Sequence, residues 1–309
     1  MPALDKRSYT AGHFELQLDG APTTAYLKTV DGGYVKASLI DEPIGPENHR
    51  IKHTSTVDID PFSVEFGISG ANTVLKWIQS SWRKEYSRKN GQITHANFDL
   101  KTTFTHEFFN ALITETTFPA LDGSSKDAAY LKVKIQPETV ITKKLSSGPQ
   151  LIPHFGSKQK LWMSSGFKLS IDGLDEMMYA NKIDSFTIKQ GVKKFYTGED
   201  RFPQIEPTKI EFPHISGTIA AEYADRLHDW YQKSVVTGQA DPKAQKSGSL
   251  EFLSPDRRST IFRIGLFEVG LIGLSMQSST ANSDQIKRMK FELYVGRMDI
   301  DGGGSLGME

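Results

Sequence analysis

Apolar and polar positions alternate over much of the chain, and the alternation comes round twice. Phe14-Glu15-Leu16-Gln17-Leu18-Asp19-Gly20 recurs as Phe167-Lys168-Leu169-Ser170-Ile171-Asp172-Gly173, an offset of 167 − 14 = 153 residues. Each run alternates and ends in Asp-Gly, which predicts a half-buried strand running into a tight turn. A second match keeps the register. Leu75, Ile78, Trp82 and Tyr86 fall at helical spacings of three and four, as do Ala220, Tyr223, Ala224, Leu227 and Tyr231, and Trp77 and Trp230 are again 153 apart. Both stretches predict one amphipathic helix in strand-like surroundings, with Gly91 and Gly238 as candidate helix ends.

After each helix the strand pattern returns. Residues 93–100, 102–117 and 129–142 are answered by 248–253, 260–277 and 286–300, with polar turns at Asp122-Gly123-Ser124-Ser125 and at 278–284, where the offset grows by a few residues. Each half therefore reads as four strands, a helix and three strands. The fold expected is mainly β, with two tandem β-barrel or sandwich modules that each carry one flanking α-helix. The Ser-Ser-Gly-Pro run at 146–149 and Pro153 set the boundaries at 10–145 for the first module, 146–160 for a linker and 161–301 for the second, with 302–309 a glycine-rich tail. Residues 261–276 are apolar on both parities, which predicts a strand covered on both faces, one of them by something outside its own core. Residues 193–207 form a long projecting hairpin holding Phe195, Tyr196 and Phe202, whereas 41–50 in the first copy are shorter and richer in proline.

Composition narrows the function. The chain has 309 residues, 37 basic and 37 acidic, so no global field draws it to nucleic acid or an anionic membrane, and weak charge repulsion leaves it free to self-associate. It has no cysteine, which excludes disulfides, thiolate nucleophiles and cysteine zinc sites. The first ten residues lack the apolar core of a signal peptide, and the apolar stretch 261–276 is too short and interrupted for a bilayer span, so a soluble protein with no membrane partner is expected. Phosphate-binding loops, nucleophile elbows and His-Glu-x-x-His are all missing from the sequence. His49 and His53 have a spacing that does not converge on a strand, and His95 and His106 face each other across strands as ordinary strand histidines. Asp58-Ile59-Asp60 followed by Glu65 has Pro61 and Phe62 in the places where a calcium loop needs its glycine turn. Arg83, Lys84, Arg88 and Lys89 read as the solvated end of a helix before they read as a nucleic-acid patch. No catalytic residue, cofactor site or metal site is expected.

These elements, in this order, resemble the tail-tube proteins of contractile phage tails and their relatives in extracellular contractile injection systems and type VI secretion. The resemblance is carried by the Phe-x-x-x-x-Asp-Gly opening strand, the strands around the Tyr/Gly loop at 195–200, the helix with its Trp, the post-helix strand 248–255 and the closing strand 288–299. It implies a structural, non-enzymatic subunit whose modules pair edge to edge into rings of six, stacked as a tube in a virion tail or injection particle assembled in the bacterial cytoplasm. Two modules per chain imply three chains per ring, or a hub or terminal ring of the same machine. Sheath, baseplate hub or tail terminator proteins would be partners, and DNA or protein cargo would pass through the lumen without specific binding. Under this reading Tyr196, Glu199, Arg201 and Phe202 stack rings, and Phe62, Val64, Phe66, Phe262, Ile264 and Leu266 lie on pairing strands. The alternative is a two-domain β binding module for carbohydrate or protein.

Overall fold

The computed structural model describes residues 12–21, 25–45, 49–68, 71–145, 148–151, 162–198, 200–238, 245–278 and 286–301. The first half contains β1 (His13–Leu18), β2 (Ala25–Asp31), β3 (Val35–Ile44), β4 (His49–Ile59), β5 (Phe62–Phe66), α1 (Asn72–Trp82), β6 (Lys89–Ala96), β7 (Thr102–Phe118), β8 (Leu121–Asp122), β9 (Leu131–Gln136) and β10 (Thr139–Lys144). Five strands precede the helix, one more than the pattern suggested, because Asp60-Pro61 separates β4 from β5. Proline has no N–H to give to a ladder.

Six of these strands close into a barrel in the order β1-β2-β5-β9-β7-β6 and back to β1. The alternation seen in the sequence puts Leu16, Leu18, Phe62, Val64, Phe66, Ile93, Phe108, Val133 and Ile135 inside, fully buried. Each such side chain contributes about 1.5–3 kcal/mol by leaving water. Helix α1 buries Val74, Leu75, Trp77, Ile78 and Trp82, and the Trp77 indole N–H donates to the Ser87 carbonyl at 2.7 Å. It ends at Arg83, with Lys84 taking the left-handed position at φ 62°. Gly91 instead lies within β6, where a Cβ would sit 2.4 Å from the Phe108 ring and 2.5 Å from the Gln17 carbonyl oxygen.

The second half contains β11 (Phe167–Ile171), a 3-10 turn (Asp175–Tyr179), β12 (Ala180–Ile183), β13 (Phe186–Phe195), β14 (Gln204–Glu211) and β15 (Ile215–Ala220). Then follow α2 (Asp225–Tyr231), prolonged by a π turn to Val236, and β16 (Lys246–Leu253), β17 (Thr260–Met276) and β18 (Arg288–Asp301). Here Gly238, at φ 67°, does follow the helical segment. The strand order β11-β16-β17-β18-β15-β12 repeats that of the barrel, except that β11 and β12 do not pair. The result is an open half-barrel. The β12 edge that would meet β11 carries β8 from the first half, with Leu121 opposite Ile183.

The register repeats as well as the order. Leu27/Thr29 and Ala180/Lys182 are matching bulges, as are Ala37/Leu39 and Gln190/Val192, all 153 apart. In the long strands, Ile113/Glu115 matches Leu271/Gly273, and Asn110 and Glu268 share a left-handed backbone at φ 51° and 57°, now offset by 268 − 110 = 158. A bulge reverses which parity faces the core. This accounts for the double apolar parity of 261–276: Phe262, Ile264 and Leu266 point inward before the Glu268 bulge, Val269 and Leu271 after it. An outer cover is not needed to explain the pattern over that stretch.

Both halves carry a long hairpin, contrary to the expectation that only the second does. β3 and β4 form a separate two-stranded sheet, and β13 pairs with β14 in the second half. Pro43 is tolerated because β3 has no partner but β4 among the described residues, and its residues are all exposed.

Candidate functional site

No group of three or more metal-binding side chains exists among the described residues. What the chain does build is a joint between its halves. Strand β7 is paired along one edge by β9 and β10 in succession, and along the other by β6 up to Ala111. Where β6 stops, β13 of the second half takes over the edge, with Phe186 opposite Phe118, Thr187 opposite Thr117, Ile188 opposite Thr116 and Lys189 opposite Glu115.

Phe118 is the centre of the joint. Its ring stacks on Phe186 at 5.0 Å, on Phe252 at 5.7 Å and on Phe262 at 6.1 Å, and Trp82 meets it edge-on at 6.2 Å. Trp162 closes the cluster against Phe252 at 5.3 Å. Aromatic pairs of this kind add about 0.5–1.5 kcal/mol each beyond area burial.

Polar contacts frame the rings. Arg88 pairs with Glu138 at 2.7 Å and donates to the Ile205 carbonyl at 2.6 Å, while Glu138 also accepts from the Ile205 N–H at 3.0 Å. Arg83 grips the Asp299 carboxylate through Nε and Nη2 at 2.9–3.1 Å, and Gln79 donates to the Ile300 carbonyl at 2.5 Å. Lys89 is paired with Asp19 at 2.5 Å. Three of the four cations after α1 thus face carboxylates, Arg83 across the joint and Lys89 within the first half.

The six strand-pairing candidates all lie in the core of the chain. Phe62, Val64 and Phe66 are fully buried on β5, both edges of which are taken by β2 and β9. Phe262, Ile264 and Leu266 are at most 2% exposed on the part of β17 held by β16 and β18. They are core, because an alternating strand hides its apolar face from a partner at its edge. Of the stacking candidates, Tyr196 and Arg201 are exposed and Phe202 half-buried, at the far end of the β13–β14 hairpin, and Glu199 lies outside the described residues. The Tyr196 hydroxyl donates to the Val57 carbonyl at 3.3 Å and the Arg201 carbonyl accepts from the Val57 N–H at 3.4 Å, so the hairpin end rests on β4. Signals that would have revealed the joint were present but ambiguous: Phe118 and Phe186 read as ordinary strand phenylalanines until their strands are placed side by side.

His95 and His106 do meet, with ring centroids 5.1 Å apart. Burial first, and then the neighbouring His106, pull the His95 imidazole down to about 4. Burial lowers His106 as well, and its Nδ1 lies 2.9 Å from the Thr142 hydroxyl.

Residues 10–141 match the family model described as T4-like virus tail tube protein gp19. The first half of the chain is therefore similar to a tail tube module. No curated protein matches the chain. Among solved structures, similar folds occur in the PVC sheath-tube complex of an extracellular contractile injection system, at 19% identity over 46% of this chain and 95% of that one, TM-score 0.40. Others are in the anti-feeding prophage baseplate, at 13% identity over 46% and 99%, TM-score 0.39, and Hcp1 from Flavobacterium johnsoniae, at 16% over 45% and 95%, TM-score 0.27. In this first module the closed barrel supplies the β7 edge and the joint is built upon it.

Proposed function

We propose that the chain is a structural subunit of the inner tube of a phage tail or a contractile injection system, carrying two tube modules in tandem. The observation that carries this reading is the repeat of the first module's strand order and bulges through the second half at offsets of 153 and 158. Three chains then supply six modules in a closed ring, with the two kinds of module alternating around it. Rings stack through Tyr196, Glu199, Arg201 and Phe202 of the second hairpin, and the stack forms a passive conduit for DNA or protein. Sheath, baseplate hub and terminator proteins are its partners in the particle. Its work is geometric, and the chain needs no reacting group to do it.

Negative-stain micrographs of the purified chain, with native mass spectrometry, test this. The expected ring has 3 × 34.5 kDa, or about 104 kDa. A monomer at all concentrations, with no rings, counts decisively against the reading. Deleting 199–203 should leave rings that no longer stack; tubes of undiminished length would remove the stacking role from that loop.

A further inference from the structure

The joint inside the chain has a counterpart that the chain leaves open. Carried through the repeat, the pairing of 186–189 with 115–118 sets 33–36 against 273–276: Lys36 opposite Gly273, Val35 opposite Leu274, Tyr34 opposite Ser275 and Gly33 opposite Met276. Within one chain these stretches are not paired. Among the described residues β3 pairs with β4 alone, and β17 beyond Val269 is paired by β18 along one edge only. Both stretches carry bare apolar side chains: Tyr34 is 61% exposed, Val35 44% and Met276 58%.

A second contact repeats the correspondence. Inside the chain, the end of α1 holds β18 through Arg83 to Asp299 and Gln79 to the Ile300 carbonyl. In the counterpart, Gln232 takes the place of Gln79, and the end of that helical segment carries Val235 and Val236, both exposed. The strand position matching Asp299 is Ile141, since 299 − 141 = 158, and it too is exposed. The inner joint has an ion pair here, and the open one has aliphatic side chains on both sides. Exposed apolar groups beside a free strand edge are a liability unless another chain covers them.

We infer that a second copy of this chain fills the open joint, its β3 adding to residues 273–276 of β17 with Val35 opposite Leu274 and its Ile141 lying against Val235 and Val236. This rests on the ring reading above. The contact is head-to-tail, and such contacts close into a ring when the rotation per joint divides a full turn. If both joints have the same geometry, three inner and three outer joints alternate around six modules.

The chain has no cysteine of its own, so disulfide trapping is free of background. Directly opposed residues of antiparallel strands lie about 4.5–5.5 Å apart, within disulfide reach. Val35→Cys/Leu274→Cys and Tyr34→Cys/Ser275→Cys, folded by circular dichroism and mildly oxidised, should run as covalent dimers and closed trimers on non-reducing gels. Thr117→Cys/Thr187→Cys, across the inner joint, should close within one chain and run as a monomer. Val35→Cys/Gly273→Cys, one residue out of register, should remain unlinked. Rings that form in micrographs while neither opposed pair links, or while only the out-of-register pair links, overturn this joint and leave the ring reading standing. A cysteine-free parent that forms no ring overturns the ring reading itself.

Discussion

His95 shows how the two halves diverge one side chain at a time. It faces Phe14 across the β1–β6 ladder, and the position matching it in the second half, opposite Phe167, is Phe252. Phe252 stacks on Phe262 at 4.1 Å, whereas His95 leans on Phe14 edge-on at 4.9 Å and on His106. The imidazole Nε2 of His95 is buried without a hydrogen-bond partner, so adding a proton there means charging a group with no acceptor. The facing groups are His106, Phe14 and, around His106, Phe62, Tyr34 and Thr142; His106 is the one that can itself carry charge. The sign follows from linkage. The folded state holds His95 neutral down to about 4, while the unfolded chain protonates near the ordinary value of 6.5. The unfolded state therefore binds the extra proton, and stability, complete above about pH 6.5, falls as the pH drops from there toward 4. Denaturant midpoints between pH 8 and 4.5 should decline for the native chain, and the decline should be shallower for His95→Phe, which copies the second half. An unchanged slope in the variant would show that other groups set the acid limit. The sequence put both histidines on adjacent strands but could not reveal their depth, which depends on the barrel closing around them.

At the scale of elements, the bulges decide more than the strands do. Glu268 and Asn110 sit in left-handed backbone, which costs an L-residue about 1–2 kcal/mol, and each reverses the inward parity of the longest strand in its half. Glu268→Gly should relieve that cost and stabilise by up to about 1 kcal/mol, while Glu268→Val, with a branched Cβ at φ 57°, should destabilise by about 1–2 kcal/mol. Equal urea midpoints for the two variants would mean that the bulge is not fixed by its backbone. Periodicity foretold most of the strands, both helices and the common offset between the halves. It misjudged residues 261–276, because a period-2 pattern read across a bulge looks apolar on both sides. It chose Phe62, Val64 and Phe66 for their hydrophobicity, whereas a strand offers its partner backbone at the edge and these side chains lie in the core. The polar edges that matter, Thr116, Thr117 and Thr187, carry no apolar signal, and so pairing between halves had to be seen to be known.

At the scale of the whole molecule, the two kinds of joint differ in one respect that outweighs their chemistry: one links parts of the same chain, the other links chains. A tether holds its partners at an effective concentration on the order of millimolar, so the inner joint stays made when the protein is diluted. The outer joint has no tether and must follow mass action. Net charge is zero, so dilution acts without help from electrostatic repulsion. Two of the four tryptophans mark the inner joint. Trp82 and Trp162 both pack in the inner aromatic cluster, within 5.3–6.2 Å of Phe252 and Phe118, while the side chains assigned to the outer joint are Tyr34, Val35, Met276, Val235, Val236 and Ile141. Diluting rings should therefore lower the sedimentation coefficient to that of a single chain while tryptophan emission stays blue. Denaturant should shift the emission to the red later, at a midpoint independent of protein concentration. Emission that reddens in step with ring dissociation would mean that inner and outer joints open together, so that the halves are held by the ring as much as by each other. The folding unit would then be the ring, and no chain outside it would keep Phe118 covered.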